Sequence, residues 1–210
     1  KIHDTTQKPV ILFGHSTGGL TVTVYANKGK YKQHVAGLIL NSPFLEMNVS
    51  PFEYYGLKLM HVGLTKILPP FTVAQKEIFE GYGKSIHKDY KGEWDYNLNW
   101  KPIKGFPAYF KWLKTIMENQ QYLKEQSNLK IPVLLLHASK SFVPKKNSTG
   151  VDAADVVLNV EHMKQLGPKL GNAVTLVEVK DGIHDIFLAR KEARDYAFEQ
   201  MLNWLDRHFK

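Results

Sequence analysis

Four short apolar runs punctuate the chain, at residues 9–13 (Pro-Val-Ile-Leu-Phe), 35–40 (Val-Ala-Gly-Leu-Ile-Leu), 131–137 (Ile-Pro-Val-Leu-Leu-Leu-His) and 174–179 (Val-Thr-Leu-Val-Glu-Val). Runs of this length, closed by turn-forming residues, read as strands, the first three of them buried. Between the first two, residues 17–27 have helical character and stop near Lys28-Gly29-Lys30. Strand, helix and strand at this spacing form a βαβ unit, which requires a parallel sheet. Later, residues 161–170 predict a helix ending at Gly171-Asn172. Residues 191–209 predict a terminal helix, with Ala193, Ala197, Met201, Trp204 and Leu205 at three- and four-residue steps.

From residue 44 to 126 the pattern breaks. No strong strand signal appears, while Phe52, Tyr55, Leu59, Met60 and Gly63 are spaced like one helical face that ends before Pro69-Pro70. Residues 111–124 predict a second helix, with Trp112, Ile116 and Tyr122 among its apolar positions, and Trp94 and Trp100 read as packing residues. Such an insertion is too long for a loop. The expected organisation is therefore a core at 1–43, a helical cap at 44–126, and a returning core at 127–210.

Composition narrows the partners more than the fold. The chain has 210 residues, 43% hydrophobic and 23% charged, as in ordinary globular domains. No apolar run of about 18 residues predicts a membrane-crossing helix. No leader is visible, but the chain starts at Lys1 rather than at a methionine. The absence of cysteine excludes disulfides, thiolate metal sites and a cysteine nucleophile, and is compatible with a cytoplasmic setting. The net charge of +8 is spread along the chain, with its densest pairs (Lys28 and Lys30, Lys145 and Lys146) in loops. Without a nucleic-acid motif, that charge reads as a solvated face. No nucleic-acid partner and no cofactor or metal is expected.

The chemistry concentrates at Gly14-His15-Ser16-Thr17-Gly18, set between a buried strand and a helix. Such a turn lifts Ser16 above the sheet in a strained conformation, and glycines two residues before and after it relieve clashes. The following helix aims its free N–H groups at a reacting carbonyl, which makes the Thr17 N–H a candidate oxyanion donor. A phosphate loop would want a lysine beside the glycines, and none is present. The base should come from a late loop, and His184 follows the 174–179 strand through Lys180-Asp-Gly-Ile183. His137, at a strand end, reads as packed or loop-anchoring. The acid is displaced: Ser141 stands where it is expected, and Ala154-Asp155-Val-Val157 follows an insertion of about 14 residues. Asp155 is the first candidate and Asp152 its rival, with Asp181 and Asp185 read as loop and surface carboxylates.

Together, Gly-His-Ser-Thr-Gly-Gly (14–19), Leu-Asn-Ser-Pro-Phe (40–44), Trp94-Asp-Tyr-Asn-Leu-Asn-Trp-Lys101, Asp155-Val-Val-Leu-Asn-Val160 and Gly182-Ile-His-Asp185 resemble the serine aminopeptidase S33-like, or hydrolase 4, branch of the α/β-hydrolases. The resemblance spans nearly the whole chain. It implies an α/β-hydrolase fold with a helical cap and a Ser16–His184–Asp155 triad. It also implies a small-molecule ester or lipid-like substrate, such as a monoglyceride or lysophospholipid, hydrolysed without a cofactor. Peptidases belong to the same branch, so an aminopeptidase is the alternative. Phe44, Leu45, Tyr55, Leu59 and Met60 are the candidate acyl-pocket residues. In that family several strands and a His-Gly loop carrying a second oxyanion donor precede the nucleophile. Only 15 residues precede Ser16, so this chain is expected to be the C-terminal part of a longer protein. A non-catalytic fragment is the third alternative.

Overall fold

The computed structural model describes residues 2–50, 52–56, 73–75, 80–145 and 148–209. A short helix α1 (Ile2–Thr6) leads into strand β1 (Val10–His15), helix α2 (Thr17–Lys28) and strand β2 (Val35–Asn41). After the insertion come β5 (Val133–Ala138), α5 (Val160–Leu166), β6 (Val174–Val179) and α6 (Lys191–Phe209). The four strands form one sheet in the order β1-β2-β5-β6, parallel throughout. This is the α/β-hydrolase arrangement of a parallel sheet with helices in the connections.

The central runs, β2 and β5, are buried on both faces of the parallel sheet. The expected burial of the first run is corrected: β1 is an edge strand with Phe13 50% exposed and only Gly14 buried. Leu38, Leu40, Val133, Leu134, Leu135 and Leu136 are fully buried at its centre. Gly37 of β2 allows the terminal helix to come close: a Cβ there would sit 2.7 Å from the Phe209 ring and 3.3 Å from Trp204. All four strands run the same way, so Ser16, Asn41, Ser139 and Asp181 all emerge at one edge of the sheet. In open α/β sheets that edge is where ligands bind.

The predicted 161–170 helix is α-helical only as far as Leu166 and tightens into a 3₁₀ turn over Gly167–Leu170. Pro168 has no N–H to give and its ring crowds the preceding turn, so the α ladder cannot continue through it.

The chain divides into two compact units, Lys1–Leu45 with Tyr122–Lys210, and Glu46–Gln121. Within the second lie β3 (Val73–Gln75), α3 (Glu80–Ile86), β4 (Ala108–Tyr109) and most of α4 (Phe110–Gln126). Strands β3 and β4 pair antiparallel, where sequence predicted no strand: three and two residues are too few to show a period. Gly92 packs onto the α3 terminus, and a Cβ there would fall 1.9 Å from the Ile86 carbonyl carbon. The Trp94 N–H donates to Ile86 O, and the Lys88 N–H to Trp94 O. Trp100, read as a packing residue, is 82% exposed instead. Phe52 and Tyr55 are also exposed rather than forming a buried helical face, and Leu59, Met60 and Gly63 lie outside the described residues. Among the described residues no helix is long and apolar enough to cross a membrane.

Candidate active site

Strand β1 hands over to α2 at Ser16, whose backbone has φ 53° and ψ −118°. A side chain in that region is strained, and the surroundings hold it there. The Ser16 N–H donates to Asn41 O at 3.0 Å, and Ser16 O accepts the N–H groups of Gly19 and Phe44, each at 3.0 Å. Although Ser16 occupies the N-cap of α2, its side chain makes no capping bond. The hydroxyl is therefore left for chemistry. Thr17 opens the helix, so its N–H is one that the helix itself cannot satisfy.

The glycines of the turn carry unequal weight. A Cβ on Gly14 would lie 2.6 Å from Gly18 O and 2.7 Å from Val22 Cγ2, so no larger residue fits. The expected steric need at Gly18 is corrected: a Cβ there meets nothing within 4 Å. Gly19 carries the second constraint, because its Cβ would fall 2.7 Å from Pro43 Cβ. The helix is pressed against the turn after β2 at Gly19, and Gly18 faces open space.

His184 reaches the hydroxyl from the loop after β6. Its Nε2 lies 2.9 Å from Ser16 Oγ, and its Nδ1 lies 2.9 Å from Asp155 Oδ2. A carboxylate only accepts, so Nδ1 carries the proton and Nε2 is left to accept from the serine. Asp155 is fully buried and His184 3% exposed. The other Asp155 oxygen accepts the N–H groups of Val157 (2.9 Å) and Leu158 (2.8 Å), which fix the carboxylate's orientation. The structure thus brings Ser16, His184 and Asp155 into one hydrogen-bonded line.

Asp152 does not join that line; it pairs with Arg190. Asp181 sits in the turn after β6 with φ 55°. Asp185, read as a surface carboxylate, is corrected. Its side chain is 16% exposed, accepts from Asn41 Nδ2 at 2.7 Å, and stands 3.9 Å from His15 Nε2. His137 is buried, with Nδ1–H donating to Ala138 O at 2.8 Å, and burial holds its pKa below the ordinary histidine value. Phe44 is half-buried and tied to Ser16 O through its N–H, while Leu45 is 3% exposed, which leaves little side chain to offer a ligand. Tyr55 lies in the second unit, with its side chain exposed.

Asn41 is the residue that sequence left out. It closes β2, and its side chain contacts the His184 loop twice, donating to Asp185 and accepting the Ile186 N–H at 3.1 Å. The only hint in sequence is its place in Leu40-Asn-Ser-Pro-Phe44, at a strand end opposite the nucleophile turn. Among the described residues no cluster of three or more His, Asp or Glu side chains could hold a metal ion.

Comparison with known proteins fits this geometry. The family model described as serine aminopeptidase, S33, matches residues 1–190. A crystal structure of Paleococcus ferrophilus monoacylglycerol lipase superposes with a TM-score of 0.68 at 21% identity, covering 99% of this chain and 72% of that one. A soluble variant of Saccharomyces cerevisiae monoglyceride lipase, in complex with a substrate analogue, gives 0.67 at 18% identity. That match covers all of this chain but 65% of the lipase. A search of curated proteins finds no match.

Proposed function

The chain belongs to the serine aminopeptidase S33 family of α/β-hydrolases, and on that premise we propose that it cleaves carboxylic esters through an acyl-enzyme formed on Ser16. The observation that carries this reading is the Ser16–His184–Asp155 line, with 2.9 Å at each link. Ser16 Oγ attacks the ester carbonyl while its proton passes to His184 Nε2. Buried Asp155 holds the ring in the required tautomer and stabilises the imidazolium. The Thr17 N–H donates to the oxyanion as it forms. His184 then delivers its proton to the leaving alkoxide, giving the free alcohol. Water, deprotonated in turn by His184, attacks the acyl-enzyme and releases the acid.

A small acyl ester or monoglyceride-type lipid is the proposed substrate, supported by the names of the two lipases that share the fold. Half-buried Phe44, tied to Ser16 O, is the proposed acyl-pocket residue nearest the nucleophile. An aminopeptidase reading is favoured by the family's own description. Fluorophosphonate labelling, with Ser16→Ala as control, tests the nucleophile. A p-nitrophenyl ester chain-length series set against aminoacyl anilides then separates the two bonds. Labelling that persists in Ser16→Ala, or none in the parent chain, overturns the proposal.

A further inference from the structure

The sheet poses a positioning problem. In the strand order β1-β2-β5-β6, the nucleophile follows one edge strand and His184 follows the other. No backbone ladder joins β6 to β1 or β2. His184 Nδ1 meets Asp155 Oδ2 at 2.9 Å, and its ring lies 4.8 Å from that of His15. Reaction requires the Nε2–Oγ approach to stay near hydrogen-bond distance, because about 1 Å of misplacement can cost on the order of 100-fold in rate. A hydrogen-bonded tie between the backbone of the His184 loop and the elbow limits drift in that approach.

Asn41 is built for that task. Its backbone carbonyl accepts the Ser16 N–H at 3.0 Å and lies 3.1 Å from His15 Nδ1, so it holds the elbow. Its side-chain amide holds the other partner: Nδ2 donates to Asp185 Oδ1 at 2.7 Å, and Oδ1 accepts the Ile186 N–H at 3.1 Å. These contacts fall on the two residues that follow His184. The residue is 1% exposed, so its bonds face little competition from water. An amide is the side chain that supplies both one donor and one acceptor here. Aspartate would set a carboxylate against a carboxylate, and leucine would remove both bonds to the loop.

Resting on the hydrolase reading, we propose that Asn41 and Asp185 form a clasp that keeps His184 in register with Ser16. Asn41 is thereby a positioning residue rather than a group that touches substrate. The clasp acts on the proton transfer and leaves acyl binding alone, so its loss lowers kcat with KM little changed.

The test measures p-nitrophenyl acetate hydrolysis and the far-downfield His184 Nδ1 proton by NMR. Asn41→Asp and Asp185→Ala are each expected to lower kcat about 10- to 100-fold with KM within about twofold. The exchanged pair Asn41→Asp with Asp185→Asn restores a donor and an acceptor, and is expected to recover most of the loss. In Asp185→Ala the downfield proton should shift or broaden. Should Asn41→Asp not fold, Asp185→Ala on the loop decides. Wild-type kcat in Asp185→Ala, or an exchanged pair no better than Asn41→Asp, overturns the clasp. A wild-type chain that fluorophosphonate does not label at Ser16 overturns the hydrolase reading instead. The downfield proton then judges the clasp without turnover, and an unchanged signal in Asp185→Ala refutes it.

Discussion

Ser141 and Asp155 face each other across an isolated parallel bridge, in which the Asp155 N–H donates to Lys140 O at 3.0 Å and the Phe142 N–H to Asp155 O at 3.3 Å. The chain leaves β5 at Ala138, passes Ser141 and returns beside it at Asp155. An acid expected directly after β5 is thus supplied from further along the sequence. The Ser141 hydroxyl, in place of the carboxylate, accepts the Val160 N–H and helps anchor the start of α5.

Asp155→Asn should lower kcat by roughly 10⁴-fold, since an amide can donate to Nδ1 and so favour the wrong imidazole tautomer. Asp155→Ala should additionally destabilise the fold, by about 1–3 kcal/mol for each backbone N–H left unsatisfied at Val157 and Leu158. Asp152→Asn, which touches only the Arg190 pair, should keep kcat within about twofold. Steady-state ester hydrolysis and urea melts of the three variants check these expectations. Equal losses at 152 and 155 would contradict the assignment.

Replacing glycine by alanine around the elbow should separate three positions that look alike in sequence. Gly14→Ala and Gly19→Ala force a Cβ to within 2.7 Å of its neighbours and should cost about 1–3 kcal/mol or prevent folding. Gly18→Ala enters open space within a helix and should be neutral, or stabilising by about 0.5–1 kcal/mol. Denaturant midpoints rank them. A Gly18→Ala variant as damaged as Gly14→Ala would show that the asymmetry is wrong.

Backbone strain at Ser16 has its own signature. Alanine at this position keeps the positive φ of 53°, whereas glycine adopts it without a Cβ penalty. Both variants remove the Ser16 hydroxyl, yet Ser16→Gly should be the more stable of the two by about 1 kcal/mol. Paired thermal melts measure the gap, and a more stable alanine variant would argue against strain.

Buried His137 should make stability depend on pH. Its native pKa is held below the ordinary value of 6.5 by burial, so the unfolded chain takes up a proton at a pH where the folded chain does not. The unfolded state then binds more protons, and stability falls as pH drops through about 6.5, levelling below the native value. Replacing His137 by Gln should flatten that part of the profile between about pH 7.5 and 5.5. Urea midpoints across this range provide the check, with an unchanged slope as the contrary result.

Much of the fold was legible in sequence because each local signal carries its own physical cause. Short apolar runs closed by turn residues favour strands, and β6 and α6 follow the predicted ranges 174–179 and 191–209. The Gly14-to-Gly19 segment announces the strained turn because few other residues permit it. What no local signal could carry is the pairing of distant groups. Asp155 and Asp152 are the same residue type three positions apart, and the folded loop, with its bridge to Ser141, sends one to His184 and leaves the other with Arg190. Asp185 reads as a surface carboxylate, and Asn41 draws no functional reading, until the parallel sheet brings both to the edge that holds Ser16. Sequence by itself determined the strands of the main sheet and which serine occupies a sharp turn, since both depend on neighbours along the chain. The tertiary structure decided which carboxylate faces His184 and what holds that histidine to Ser16, because hydrogen bonds select partners by distance in space.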